Sequence, residues 1–334
     1  MKRIAVEEAF ITPEILAAMK RKLESGSAEL GFRLLAESIL FGTSQGAQLM
    51  QQRLLDIGEG RIAQMDATGT DVQVISLTSP GIQVLDAAEA TELAAHSNDV
   101  LAQATRRFPG RLYGLTAVAP QEPVRAADEI ERGAAKLDMR GLIINSHTFG
   151  QYLDEEQFTP ILEAAQAHGQ PIYLHPRDPS PQMIGPMATY GLFSAIWGFA
   201  VETGLHTMRL IFSGTFDKFP NLKFLLGHMG EALPFWLQRI DNRYLVMSKA
   251  GALKPLKRLP SEYFKDNFVI TTSGVTSMPA LELSMKVLGA ERILYAADYP
   301  YESVEEAVAF VDSIQDADAR AAIGYRNAER LFRL

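Results

Sequence analysis

Eight short apolar runs rich in β-branched residues punctuate the chain, and between most of them the hydrophobic positions recur at helical spacing. The runs are RIAVEEAF from Arg3, DVQVISLT from Asp71, RLYGLTAVAP from Arg111 and MRGLIINSH from Met139. Four more follow: PIYLHP from Pro171, LKFLLGHMG from Leu222, FVITTSG from Phe268 and RILYAADYP from Arg292. Segments such as AAEATELAAHSNDVLAQATRRF and EPVRAADEIERGAAKLD separate them. Strands alternating with helices predict a parallel sheet, and eight such units predict an α/β fold of the (β/α)8 TIM-barrel type. An open doubly wound sheet competes with it, but no glycine-rich phosphate loop follows the first strand. Length alone leaves one or two domains open; the barrel reading makes residues 1–334 a single domain. Two stretches exceed a simple connection, at about residues 11–64 and 178–219. The first reads as mainly helical and the second as mixed loop and helix, so both are candidate lids or subunit contacts.

The polar positions inside this pattern carry the chemistry. A strand sends successive side chains to opposite faces, so the adjacent carboxylates Glu7 and Glu8 diverge and one must enter a core. A lone buried carboxylate costs several kcal/mol unless it is paired, hydrogen-bonded or metal-bound. Other polar residues gather at strand C-terminal ends: Asn145 and His147 on the fourth run, His175 on the fifth, His228 on the sixth and Asp298 on the eighth. In a barrel that rim is the active-site face. Taken singly, His175 or His228 reads equally well as a hydrogen-bonded core histidine, Asp298 as a helix cap and Asn145 as a turn residue. Taken together, Glu7, His175, His228 and Asp298 on one rim point to a metal site. His96, His168 and His206 fall in helical patterns and receive no role.

Composition narrows the classes. Of 334 residues 47% are hydrophobic and 22% charged, as in ordinary globular proteins. A net charge of -8 without a basic stripe argues against nucleic acid. Zero cysteines exclude disulfides, thiolate nucleophiles and cysteine-type zinc or iron–sulfur sites, so a metal must be held by His, carboxylate, amide or water. The N-terminus enters a strand directly and no long apolar run follows, which leads us to expect a cytoplasmic protein without a membrane partner.

The ordered pieces EEAF, MDATGTDVQVISLTSPGIQ, INSHT, YLDEE, YLHP, FDKFP, GHMGEALPFWLQRID, TTSGV and AADYPYES run nearly end to end. Through them the chain resembles the amidohydrolase superfamily. Within it the resemblance is to the metal-dependent, non-oxidative decarboxylases related to aminocarboxymuconate semialdehyde decarboxylase, most of all the branch acting on 5-carboxyvanillate. The resemblance implies that Glu7, His175 and Asp298 ligate one divalent metal. Ala9 replaces the histidine of a Glu-x-His pair, and Glu8 faces the barrel wall and needs a partner of its own. It implies manganese, with zinc the alternative, and no organic cofactor. The implied reaction is decarboxylation of an ortho-hydroxybenzoate of the 5-carboxyvanillate, resorcylate, dihydroxybenzoate or salicylate class, with reverse carboxylation open. Asp298 would deliver the proton, while His228 and Glu231 polarise the phenol. Arg239 would contact a substrate anion across a subunit boundary, which implies a homodimer or homotetramer. Asn145 and Tyr301 are further substrate contacts, and Phe10 is a candidate lining of the ring pocket. Gly46 falls where the carboxyvanillate branch carries a substrate-facing arginine, which leaves the acid open. A metal-dependent lactone or amide hydrolase is the alternative function, and a non-catalytic binding barrel the third.

Overall fold

The computed structural model describes all 334 residues. Each expected run forms a strand: β1 Ile4–Phe10, β2 Val72–Leu77, β3 Leu112–Gly114, β4 Thr116–Ala117, β5 Leu142–Asn145, β6 Ile172–His175, β7 Phe224–Leu226, β8 Phe268–Thr271 and β9 Ile293–Leu294. Every pairing between neighbours is parallel. β3 and β4 are one expected strand interrupted at Leu115, whose N–H donates back to Ile75 O at 2.9 Å while Gly114 O accepts from Arg140 N at 2.9 Å. The interruption splits the ladder into a three-stranded and a six-stranded sheet. Between β9 and β1 no ladder forms; beyond the end of β9, Ala9 N donates to Tyr299 O at 2.7 Å. With helices outside these eight staves, the architecture is a (β/α)8 barrel.

Alternation divides the strand residues into two packed sets. Leu142, Ile144, Ile172, Leu174, Phe224, Leu226, Phe268 and Ile270 pack with the outer helices, while Ile143, Tyr173, Leu225, Val269 and Leu294 belong to the second core cluster. Phe268 stacks between Phe224 and Phe264, with centroids 5.4 and 5.1 Å away. Offset aromatic stacking of this kind adds about 0.5–1.5 kcal/mol beyond the area buried.

The segment after β1 folds into helices Pro13–Glu24, Leu30–Leu35, Gln45–Leu55 and Glu59–Thr68. Thr12 caps the first by accepting from Ile15 N at 3.3 Å, and Pro13 sits in its opening turn, where a missing N–H costs nothing. Ser44 caps the third. Residues Ala36–Leu40 form a π-turn closed by Phe41 N to Ala36 O at 2.8 Å. The segment after β6 carries helices Ile184–Ala188, Gly198–Phe212 and Thr215–Lys218. Residues of both segments wall one cavity with His175, His228 and Asp298. No helix is long and apolar enough to cross a membrane.

Candidate active site

Glu7 anchors the site from inside the barrel. Its carboxylate is 2% exposed, and Thr271 Oγ1 donates to its Oε2 at 2.9 Å. Oε1 is buried with no hydrogen-bond partner. Two imidazoles converge on that oxygen: His175 Nε2 at 3.6 Å and His228 Nε2 at 3.7 Å. His228 Nε2 also lies 3.7 Å from Asp298 Oδ2. These separations are too long for good hydrogen bonds and suit donor atoms arranged around a shared cation. Ligand atoms of Glu7, His228 and Asp298 all lie within 4.8 Å of one another. His175 stands outside that tightest trio but meets its central oxygen. A borderline divalent ion fits two carboxylates and neutral imidazole, so the donor set and the orphaned Glu7 oxygen agree with a metal centre.

Backbone geometry presents these groups. Tyr173 and His175 project inward from β6, and Gly227 leaves room for Glu7: a Cβ there would lie 2.8 Å from Glu7 Oε1 and 3.2 Å from Tyr173 Oη. His228 to Ala232 run consecutively at positive φ, from 51° to 69°. A left-handed turn containing four non-glycine residues costs of order 1–2 kcal/mol per residue, and such strain is characteristic of functional sites. It brings His228 Nδ1 to 2.9 Å from Glu231 Oε1. Asp298 is likewise at φ 60°.

Burial and mutual charge set the ionisation of the group. Burial opposes charge on His228, but Glu231 and Glu7 outweigh it and hold the imidazole well above its ordinary range. Burial holds His175 down, favouring a neutral ring. Burial, joined by Glu7 and opposed by a hydrogen bond from His228, pushes Asp298 up to about 7. Burial also raises Glu231.

Glu8 turns the other way, into the helix layer. Its Oε1 accepts from Ala297 N at 3.1 Å and its Oε2 from Gln73 Nε2 at 3.3 Å. Gln73 Oε1 in turn accepts from Arg61 Nη1 at 3.2 Å. Arg61, fully buried, donates also to Ala9 O at 2.7 Å and stacks over the Tyr299 ring at 4.8 Å. Burial pushes Glu8 up to about 8.

The remaining sequence candidates separate. Tyr301 lines the cavity, its hydroxyl paired with Thr78 Oγ1. Asn145 does not line it; its amide lies against Gly81, and its backbone exchanges hydrogen bonds with the Gln83 side chain. Phe10 is 1% exposed and belongs to the core beneath the rim. Arg239 lies exposed on the helix Leu233–Lys249, away from its own chain's cavity and without a carboxylate partner. Gly46 is exposed at the start of the helix Gln45–Leu55 and lines nothing.

Several neighbours carried no signal legible in the sequence. Thr271 and Tyr173 touch or flank Glu7, and Leu35, Ile39, Leu40 and Met50 wall the cavity. His206, without an assigned role, is fully buried: Nε2 accepts from Leu153 N at 3.0 Å and Nδ1 faces Ser146 Oγ at 3.2 Å. His147 accepts from Gly150 N on Nδ1 and meets Asp178 O through Nε2, each at 3.1 Å. Both rings are held neutral by burial, His147 at about 2 and His206 at about 3. The signal that could have found His206 was its place on the apolar face of its helix.

Comparison with known proteins gives the chain its relatives. Residues 46–334 match the family model described as amidohydrolase. The chain is 36% identical over 342 residues to gamma-resorcylate decarboxylase of a Polaromonas species, covering 99% of this chain and 98% of that protein. Among solved structures it matches 5-carboxyvanillate decarboxylase of Novosphingobium aromaticivorans, complexed with manganese and 4-hydroxy-3-methoxy-5-nitrobenzoic acid. The TM-score is 0.97 and the identity 45%, covering 100% of this chain and 96% of that one. It also matches dihydroxybenzoic acid decarboxylase of a Polaromonas species with bound manganese and the inhibitor 2-nitroresorcinol. There the TM-score is 0.88 and the identity 34%, covering 100% of this chain and 97% of that one.

Proposed function

The chain belongs to the amidohydrolase family, and from that premise we propose that it is a metal-dependent carboxy-lyase removing carbon dioxide, without oxidation, from an ortho-hydroxybenzoate-type acid. The observation that carries this is the convergence of His175 and His228 on the orphaned Oε1 of Glu7, with Asp298 beside them at the rim. Glu7, His175 and Asp298 would hold the metal, manganese being the ion bound in the two matched structures. When bound, it supplies a Lewis acid that draws negative charge from the substrate's phenol and carboxylate oxygens.

The chain's own residues then do the following. Asp298, placed where one carboxylate can span metal and ring, takes up the substrate's own phenol or carboxyl proton on binding and carries it to the ring carbon bearing the carboxylate. The new C–H bond interrupts aromaticity; the C–C bond breaks, its electron pair returns to the ring and carbon dioxide leaves. The protonated ring itself takes up that electron pair, so no organic cofactor is needed as an electron sink. His228, held in place by Glu231, faces the phenol side and keeps the proton inventory there. Tyr301 closes the wall beside Asp298.

Arg239 serves a substrate anion in the site of a second copy, as part of a homodimer or a larger even assembly. Its free guanidinium supports this, and so do Phe235 and Trp236, 66% and 47% exposed on the same helix. The hydrolase alternative is not favoured, because the three relatives named above are decarboxylases. Incubating the manganese-loaded protein with ortho-hydroxybenzoates while following carbon dioxide release tests the reading. Release of carbon dioxide from at least one acid is expected, and its absence across the panel, with lactones or amides hydrolysed instead, would reverse it.

A further inference from the structure

The cavity that meets Asp298 and His228 holds about 280 Å³, room for one substituted benzoate and little else. Its walls are chemically lopsided. Leu35, Ile39, Leu40 and Met50 come from the segment after β1, with Ala195 and Phe199 from the segment after β6. The first three owe their common direction to the π-turn Ala36–Leu40. A π-turn needs more than four residues per revolution, so positions i, i+4 and i+5 share one side, and Leu35, Ile39 and Leu40 stand at that spacing. An uninterrupted α-helix would turn Leu40 off this side. No lysine or arginine lines the cavity, and the charged side chains there besides the two histidines are acids, Asp298 and Glu302.

This distribution discriminates between acids that the matched proteins handle. 5-Carboxyvanillate carries two carboxylates, one of which survives the reaction; a dihydroxybenzoate carries one. The departing carboxylate would have the metal centre to answer it, and the walls that this chain itself offers a second carboxylate are hydrocarbon and Glu302. Burying an ionised carboxylate against either, with no cation, is strongly unfavourable. A hydrogen or an alkyl group at the same ring position would meet surface of its own kind.

Resting on the decarboxylase reading above, we propose that the π-turn wall of Leu35, Ile39 and Leu40, with Met50, makes this chain selective for monocarboxylic ortho-hydroxybenzoates with an apolar far edge, and against benzene dicarboxylates. The wall acts on specificity and takes no part in proton transfer.

A matched pair of substrates tests it: 5-carboxyvanillate and 2-hydroxy-3-methoxy-5-methylbenzoate, in which methyl replaces the carboxylate para to the phenol. With the manganese-loaded wild-type protein, kcat/KM should favour the methyl acid by about 100-fold or more. Ile39→Arg and Met50→Arg, both at partly exposed positions, should each shrink that preference by about 10-fold or more, mainly through a lower KM for the dicarboxylate. Thermal melting and manganese content confirm that each variant is folded and loaded. A wild-type preference for 5-carboxyvanillate, or arginine variants that leave the ratio unchanged, would overturn the proposal while leaving the decarboxylase reading intact. Failure of every ortho-hydroxybenzoate to release carbon dioxide would instead remove the reading on which the proposal rests.

Discussion

Glu8 holds the turn that presents Asp298: its Oε1 accepts the Ala297 N–H at 3.1 Å, one residue before the aspartate whose φ is 60°. Two neighbouring carboxylates on one strand therefore serve one centre from opposite sides of the barrel wall, Glu7 among the proposed metal donors and Glu8 behind them. Removing the acceptor leaves a buried N–H unpaired, at a cost of about 1–3 kcal/mol, in a turn already strained. Glu8→Leu should weaken manganese binding by about 10-fold or more, as loss of an orienting partner does. Glu8→Gln, which keeps an oxygen for Ala297 N, should bind the metal more nearly as wild type does. Calorimetric titration with manganese separates the two, and equal affinity in wild type and Glu8→Leu would show that the Ala297 contact does not position Asp298.

Gly227 gives a second probe of the same centre. Its φ of -69° suits any residue, so alanine meets no backbone penalty. The new methyl would nevertheless sit 2.8 Å from Glu7 Oε1. Gly227→Ala should keep its melting temperature within a few degrees and lose most of its manganese. Full metal occupancy by elemental analysis would place the ion away from that oxygen.

The two histidines at Glu7 are expected to part company on substitution. His175→Ala removes a proposed ligand and should empty the site. His228→Asn should retain manganese while lowering kcat by about 100-fold or more, as loss of a proton-handling group does. Metal analysis beside turnover reads both. Loss of metal in His228→Asn would move His228 into the ligand set, where its 3.7 Å approaches to Glu7 and Asp298 already bring it close.

Much of this architecture was legible in the sequence because the strands are buried on both faces and read as uninterrupted apolar runs. The rim was legible for the same reason: a polar residue ending such a run has few bland explanations once several share an end. The break at Leu115 was not, since it is a change of hydrogen-bond partner within an unchanged apolar pattern. Glu8 announced a need for a partner but not its identity, because the partner is a backbone N–H distant in sequence. The wall of Leu35, Ile39 and Leu40 was hidden because it depends on one π-turn, which shifts side-chain direction without altering composition. Phe10 and Asn145 show the converse: position near a strand end did not bring either side chain into the cavity.

His206 makes stability depend on pH in a defined direction. Burial lowers its folded pKa to about 3, against an ordinary value of 6.5, so below about pH 6.5 the unfolded chain binds a proton that the folded chain refuses. Stability is full above that pH and falls as acid is added through the window from 6.5 toward 3. At pH 5 the loss from this one ring is about 2 kcal/mol. Gln at position 206 can still accept from Leu153 N without titrating. Urea unfolding of wild type and His206→Gln at pH 7.5 and 5.0 should show a smaller acid loss in the variant. Equal losses would mean that His206 is charged in the folded protein.

Asp298 is proposed to pass a proton to an aromatic carbon as carbon dioxide departs, with no oxidant. The most direct measurement is an anaerobic reaction in deuterium oxide with manganese-loaded protein and a carboxyl-labelled ortho-hydroxybenzoate, read by mass spectrometry and NMR. Labelled carbon dioxide and phenol are expected in equal amounts, with a single deuterium at the vacated carbon, and neither from metal-loaded Asp298→Asn. Turnover by Asp298→Asn at a rate near wild type, with the same deuterium incorporation, would contradict it and transfer the proton to another group.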